Sequence, residues 1–123
     1  MRITGGLEEQ NDKLVQMWAC RQRSRISGKP AQCGHHYYRR NCKLLRWDLK
    51  NIIPLTLEEH NQIHAGKIKY KILNPCNAFY LSRMFNKDYK QYLVDKSMTD
   101  KEFVYMCNKK LKEALNAEDT ENI

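Results

Sequence analysis

The sequence predicts an α+β fold in which two short strands and a short helix follow one another inside a helical frame. Three observations point there. Residues 31–38 and 51–55 read as extended stretches on either side of a polar, basic segment. The capping-box signature Thr56-Leu-Glu-Glu59 follows the second stretch at once and opens a helix. Apolar residues recur at helical spacing both before and after this unit. At 123 residues the chain suits one domain with a modest core, and a single domain over residues 1–123 is expected.

The elements follow in order. Gly5-Gly6 precedes a helix expected over about 7–22, with Leu7, Leu14, Val15 and Trp18 at helical spacing and Glu8 and Glu9 in the first turn, where they favour the helix dipole. Ser27-Gly28-Lys29-Pro30 is a turn. The first strand ends in His-His-Tyr-Tyr, Arg39 to Lys43 forms a loop, and Leu44 to Asp48 alternates weakly. Pro54 has no N–H for a ladder, so the second strand should end there or lie at an edge. The helix capped by Thr56 should run from Leu57 to about Ala65 and stop at Gly66. The remainder reads as helical over about 76–117. Short helices are expected at Cys76–Phe85 and Lys87–Val94, with Phe79, Leu81, Met84, Tyr89 and Leu93 buried. A second capping box, Thr99-Asp-Lys-Glu102, starts a long helix with Phe103, Cys107, Leu111 and Leu115 on one stripe. Residues Glu118–Ile123 are expected to fray.

Composition narrows the function classes. No apolar run approaches the roughly 20 residues that span a bilayer, so no membrane partner is expected. The segment Met1–Asp12 has no signal-type apolar stretch, and a cytoplasmic location is expected. Five irregularly spaced cysteines argue against a disulfide framework, and no Cys-x-x-Cys pair exists for a four-thiolate zinc knuckle. A mixed Cys/His zinc site using Cys20 or Cys33 stays open. Net charge is +8, and its placement is informative. Residues 1–75 hold 14 Lys/Arg against 6 Asp/Glu, whereas residues 76–123 hold 8 of each. The excess therefore lies on one part of the chain, where a polyanion such as nucleic acid would release counterions.

All 4 histidines lie in that basic part: His35, His36, His60 and His64. His60 and His64 are one helical turn apart and share a face. Neighbouring residues of a strand point to opposite sides, so only one of His35 and His36 is expected to join a metal with the helical pair. The other is left to move a proton. A neutral imidazole suits that role, with an ordinary pKa of about 6.5. Three protein ligands with an open position suit metal-assisted hydrolysis, whereas structural zinc is closed by four.

The runs Cys33-Gly-His-His-Tyr-Tyr38, Leu45-Arg-Trp-Asp-Leu-Lys-Asn-Ile-Ile-Pro-Leu-Thr56 and His60-Asn-Gln-Ile-His-Ala-Gly66 resemble the HNH, or ββα-metal, nuclease family. The spacing across residues 35–66 is similar to that of bacterial colicin DNase domains. Leu45-Arg-Trp-Asp48 and Asn51 also resemble phage recombination nucleases of the lambdoid Rap type. The resemblance implies a ββα-metal core at about 31–67 and a phosphodiester hydrolase leaving 5′-phosphate and 3′-hydroxyl ends. It implies His36 as general base, His35, His60 and His64 as ligands of one divalent metal, and Asn51 as the residue that pins the inter-strand loop and so orients His36. Imidazole ligands favour Zn, Ni, Co or Mn over Mg, with zinc expected to be the ion bound. Two departures stand out: Cys33 occupies the place of an acidic residue in the colicin enzymes, and the zinc knuckles of many relatives are missing.

Arg39, Arg40, Lys43, Arg46, Lys67 and Lys69 flank the motif and are the expected phosphate contacts on DNA. Tyr37 and Tyr38 either stack on an unpaired base or pack. No recognition helix or finger array is visible, so low sequence specificity is expected, with selectivity for branched or nicked DNA left open. Two other readings stand beside the DNA endonuclease: a non-catalytic nucleic-acid-binding module holding structural zinc, and an RNA-cleaving enzyme of the same fold.

Overall fold

The structure is a computed structural model and describes residues 6–69 and 73–121, the last four by their backbone alone. It is an α+β fold. Helix α1 (Leu7–Cys20) is followed by strand β1 (Cys33–His36), a one-turn helix α2 (Lys43–Arg46), strand β2 (Ile52–Leu55) and helix α3 (Leu57–His64). Helices α4 (Ala78–Phe85), α5 (Tyr89–Asp95) and α6 (Asp100–Glu121) complete the chain. Among the described residues no helix is long and apolar enough to cross a membrane.

The two strands pair antiparallel, with Cys33 opposite Leu55, Gly34 opposite Pro54, His35 opposite Ile53 and His36 opposite Ile52. Directly opposed residues share a face, and successive ones alternate. Ile53 and Leu55 therefore face one way and pack on Ile63 of α3. Ile52 faces the other way, into a core with Val15 and Ala19 of α1 and Phe103, Val104 and Leu111 of α6. Ile52, Ile53 and Leu55 are fully buried, each stabilising the fold by about 1.5–3 kcal/mol relative to exposure. The sheet is thus a two-sided partition. Whichever face a residue of β1 takes decides whether it meets α3 or α1.

Both edges of this small sheet are covered. Pro54 lies inside β2, and its carbonyl accepts from the Arg25 N–H at 3.0 Å. Among the described residues the sheet has two strands, so each is an edge, which resolves the expectation for Pro54. On β1, the Gln16 side chain accepts from Gly34 N at 2.8 Å and donates to Gly34 O at 3.2 Å. A Cβ on Gly34 would lie 2.6 Å from Ile52 Cγ2 and 2.9 Å from Ala19 Cβ. Only glycine lets α1 seat against the sheet here.

Several boundaries differ from expectation. β1 stops at His36 because Tyr38 N donates to the Asn51 side chain instead of continuing a ladder. The weak alternation at Leu44–Asp48 is the helical turn α2, followed by a 3₁₀ turn over Leu49–Asn51, because Leu44, Leu45 and Trp47 are all buried and need a helical rather than an alternating placement. α1 ends two residues early, at Cys20. α4 starts at Ala78, behind a 3₁₀ turn over Pro75–Asn77. α5 is Tyr89–Asp95, because Asp88 caps it by accepting from Gln91 N. Phe79, expected to be buried, is 76% exposed, because the buried face of α4 is the one bearing Leu81. The end expected to fray is helical in backbone through Glu121, while Asn122 and Ile123 lie outside the described residues.

Candidate active site

The local sequence of α3 places two imidazoles. Thr56 Oγ1 accepts from Glu59 N at 3.2 Å, and Glu59 Oε1 accepts from Thr56 N at 2.8 Å, which fixes the first turn. Ser24 Oγ donates to the same Glu59 oxygen at 2.5 Å and ties that turn to the segment behind α1. Burial alone would push the Glu59 carboxyl up, but these hydrogen bonds outweigh it and hold the pKa below the ordinary carboxylate value. With the start fixed, His60 and His64 fall on one face, their Nε2 atoms 3.2 Å apart.

β1 supplies the third. His35, opposite Ile53, projects toward α3, and its ring centroid lies 5.3 Å from that of His60 and 5.6 Å from that of His64. One ring nitrogen from each of the three lies within 4.8 Å of the others. A zinc–nitrogen bond of about 2.0–2.1 Å with tetrahedral angles separates two donors by about 3.3–3.4 Å, so the helical pair already stands at ligand spacing. Burial pulls the His35 pKa down to about 4, helped by the neighbouring His60, His64 and His36. Burial, then His64, lowers that of His60. Neutral imidazole is the form that binds a metal, so the donor set fits one divalent ion with a position left over.

His36 takes the other face and behaves differently. Its Nε2 is 2.9 Å from the Arg46 carbonyl oxygen. A carbonyl can only accept, so the neutral ring carries its proton on Nε2 and keeps a lone pair on Nδ1. Burial lowers the His36 pKa, with the Arg46 carbonyl opposing it. Leu45, the residue before Arg46, is held by Asn51, which is fully buried. Asn51 Nδ2 donates to Tyr38 O at 3.0 Å and to Leu45 O at 3.1 Å, and its Oδ1 accepts from Tyr38 N at 2.8 Å. The amide thus ties Tyr38 to Leu45, the two ends of the loop that leads into Arg46. Although His35 and His36 lie on opposite faces of the strand, both line one open cleft of about 810 Å³ with His60 and His64.

The basic residues divide into two groups. Arg39 and Arg40 line the cleft. Arg39, Lys67 and Lys69 are exposed and make no ion pair among the described residues. Arg40 is held by Asp12 at 2.7 Å, and Arg46 by Asp12 at 2.7 Å and Glu8 at 3.3 Å. Lys43 bridges Glu8 at 3.5 Å and Asp100 at 2.7 Å. The structure therefore brings Arg39 and Arg40 to the histidines, and engages Lys43 and Arg46 in joining α2 to α1 and α6.

Sequence reasoning missed α1 as part of the cleft. Asp12 and Gln16, one turn apart, reach its wall. Asp12 accepts from Arg46, Arg40 and Trp47 Nε1. An i, i+4 polar pair on an amphipathic helix carries no mark of its partner until the helix is docked. Cys33, in the cleft wall, points its thiol at the carbonyls of Leu55 and Thr56 and stands outside the three-histidine cluster. Compared with protein-family models, with curated proteins and with solved structures, the chain finds no match in any of the three.

Proposed function

We propose that the chain is a metal-dependent endonuclease of the HNH type, with β1, β2 and α3 as its ββα-metal core, hydrolysing phosphodiester bonds of DNA with little sequence specificity. The observation that supports it best is the pairing of two unlike imidazole environments in one cleft. Three rings each bring one nitrogen to within 4.8 Å of the others, and a fourth, with its tautomer set by a backbone carbonyl, is left out of the cluster. His35, His60 and His64 would hold the ion. The chemistry a divalent ion supplies when bound is polarisation of the scissile phosphate and stabilisation of charge on the leaving 3′ oxygen. His36 takes the proton of the attacking water on Nδ1, with Nε2–H on Arg46 O keeping the ring in place. Arg39 and Arg40 meet phosphate at the rim, and Asn51 is a positioning residue behind His36. Among the described residues only three donors converge, one short of the four that close a structural zinc site, which favours hydrolysis over a purely structural ion.

The test is nicking of supercoiled plasmid with Mg²⁺, Mn²⁺, Ni²⁺ or Zn²⁺, by the wild type and by His36→Ala. Metal-dependent nicking that drops about 100-fold or more in the variant is expected, since a general base contributes about 10²–10⁴. A folded, zinc-loaded wild type that binds DNA but nicks no DNA or RNA with any of the four ions would sink the proposal.

A further inference from the structure

We propose that the aromatic pair Tyr38–Phe85 is a stacking platform for an unpaired nucleobase, so that the preferred ligand beside the cleft is a DNA strand with unpaired bases rather than a closed duplex. It rests on the nucleic-acid reading above. The two rings lie parallel, with centroids 4.4 Å apart and planes 16° apart, and the Tyr37 ring stands edge-on to Tyr38 at 5.1 Å. Phe85 is 47% exposed at the end of α4, far more than a core phenylalanine. A stacked pair with an exposed outer member extends the π-face of its partner into solvent, and such faces bind any base regardless of sequence.

Position ties the platform to the histidines. Tyr38 follows His36 by two residues, so their Cα atoms are no more than about 7 Å apart. Its backbone N–H and carbonyl are both held by Asn51, the same side chain that steadies the loop behind His36. A base on the platform is thereby registered against the histidine.

Charge selects the class of partner. From His60 to Lys87 the sequence has five Lys/Arg and no Asp/Glu. Lys87, two residues from Phe85, is exposed. Arg39, next to Tyr38, lines the cleft. Arg83 on α4 holds its guanidinium 5.7 Å from the ring of the exposed Phe79. Aromatic rings interleaved with cations, the first carboxylate after them being Asp88, which is taken up in capping α5, match a polyanion that offers flat faces, which is a single strand. A closed duplex hides those faces and presents its backbone and the edges of its bases in the grooves.

The experiment is fluorescence anisotropy of the full chain in EDTA, where no cleavage interferes. The probes are a labelled 20-nucleotide DNA strand, the same sequence as duplex, and that duplex with a single-stranded flap. Wild type is expected to bind strand and flap more tightly than duplex. Phe85→Leu keeps an apolar side chain but removes the ring, and should weaken strand binding about 10-fold while changing duplex binding less than about twofold. Phe85→Trp should restore it. Val94→Ala, at a 70% exposed apolar site on α5, is the control and should match wild type. Equal strand binding by Phe85→Leu and wild type would overturn the platform, as would an equal loss on all three probes. Because nothing here depends on turnover, a failure of nicking with this binding pattern intact would count against the nuclease reading and leave the platform standing.

Discussion

The Nε2 of His36 lies 2.9 Å from the backbone carbonyl oxygen of Arg46. That contact assigns the tautomer of the neutral ring and leaves Nδ1 as its basic atom. A long-range ¹H–¹⁵N spectrum of the protein near neutral pH should show His36 with Nε2 protonated and Nδ1 bare. The opposite tautomer would remove the atom assigned to proton transfer.

Asn51 supports the loop that leads into Arg46 through three hydrogen bonds to Tyr38 and Leu45. Asn51→Ala leaves a part-buried Tyr38 N–H without its acceptor, which should cost about 1–3 kcal/mol in urea unfolding. Nicking at saturating DNA should fall more than zinc affinity does, because the three rings proposed to bind the ion are anchored on β1 and α3. Equal loss of zinc and nicking would mean that Asn51 only holds the fold.

Zinc should raise the melting temperature of the wild type, because an ion bound 100-fold above its Kd stabilises by about 2.7 kcal/mol. His60→Ala and His64→Ala should each weaken zinc by at least the roughly 10–100-fold seen when merely outer residues of a site are removed. His36→Ala should keep the full thermal shift. If it loses the shift as they do, the site is closed by a fourth imidazole and the structural-zinc reading gains.

Burial alone would push the Asp12 carboxyl up, but hydrogen bonds from Arg46 and Trp47 and the charges of Arg46 and Arg40 outweigh it, leaving the pKa below the ordinary value. A carboxyl depressed in the folded state stabilises the protein above its unfolded pKa of about 3.9. That stability is lost as pH falls through the folded value. Asp12→Asn should therefore cost about 1–2 kcal/mol at pH 7, with the gap to wild type narrowing as pH falls below the unfolded value and through the depressed folded one. Urea titrations across this range read this directly, and a pH-independent gap would assign the loss to packing.

Gly34→Ala places a methyl 2.6 Å from Ile52 Cγ2, beside the Ala19 contact. Overpacking of this kind should destabilise by about 1–3 kcal/mol. A melting temperature equal to that of wild type would show that α1 can shift off the sheet at no cost.

The amino-acid sequence by itself determined those features whose cause is local. Thr56 and Glu59 made the start of α3 readable, and a fixed start with a four-residue interval puts His60 and His64 on one face whatever surrounds them. Thr99 and Glu102 did the same for α6. Alternation along a strand was enough to separate His35 from His36. Everything that needed two distant segments at once was decided by tertiary structure. The register that sets His35 opposite Ile53 and His36 opposite Ile52 chose which histidine meets α3. The docking of α1 brought Asp12 and Glu8 to Arg46, so residues alike in sequence as flanking cations differ: Arg39 stays exposed, and Arg46 is engaged by two carboxylates. The burial of Leu44, Leu45 and Trp47 turned a weakly alternating stretch into a helical turn, and the carbonyl that turn presents is the one that fixes His36. Side-chain periodicity is written into the chain, but a hydrogen bond between residues 36 and 46 exists only once packing has closed the loop between them.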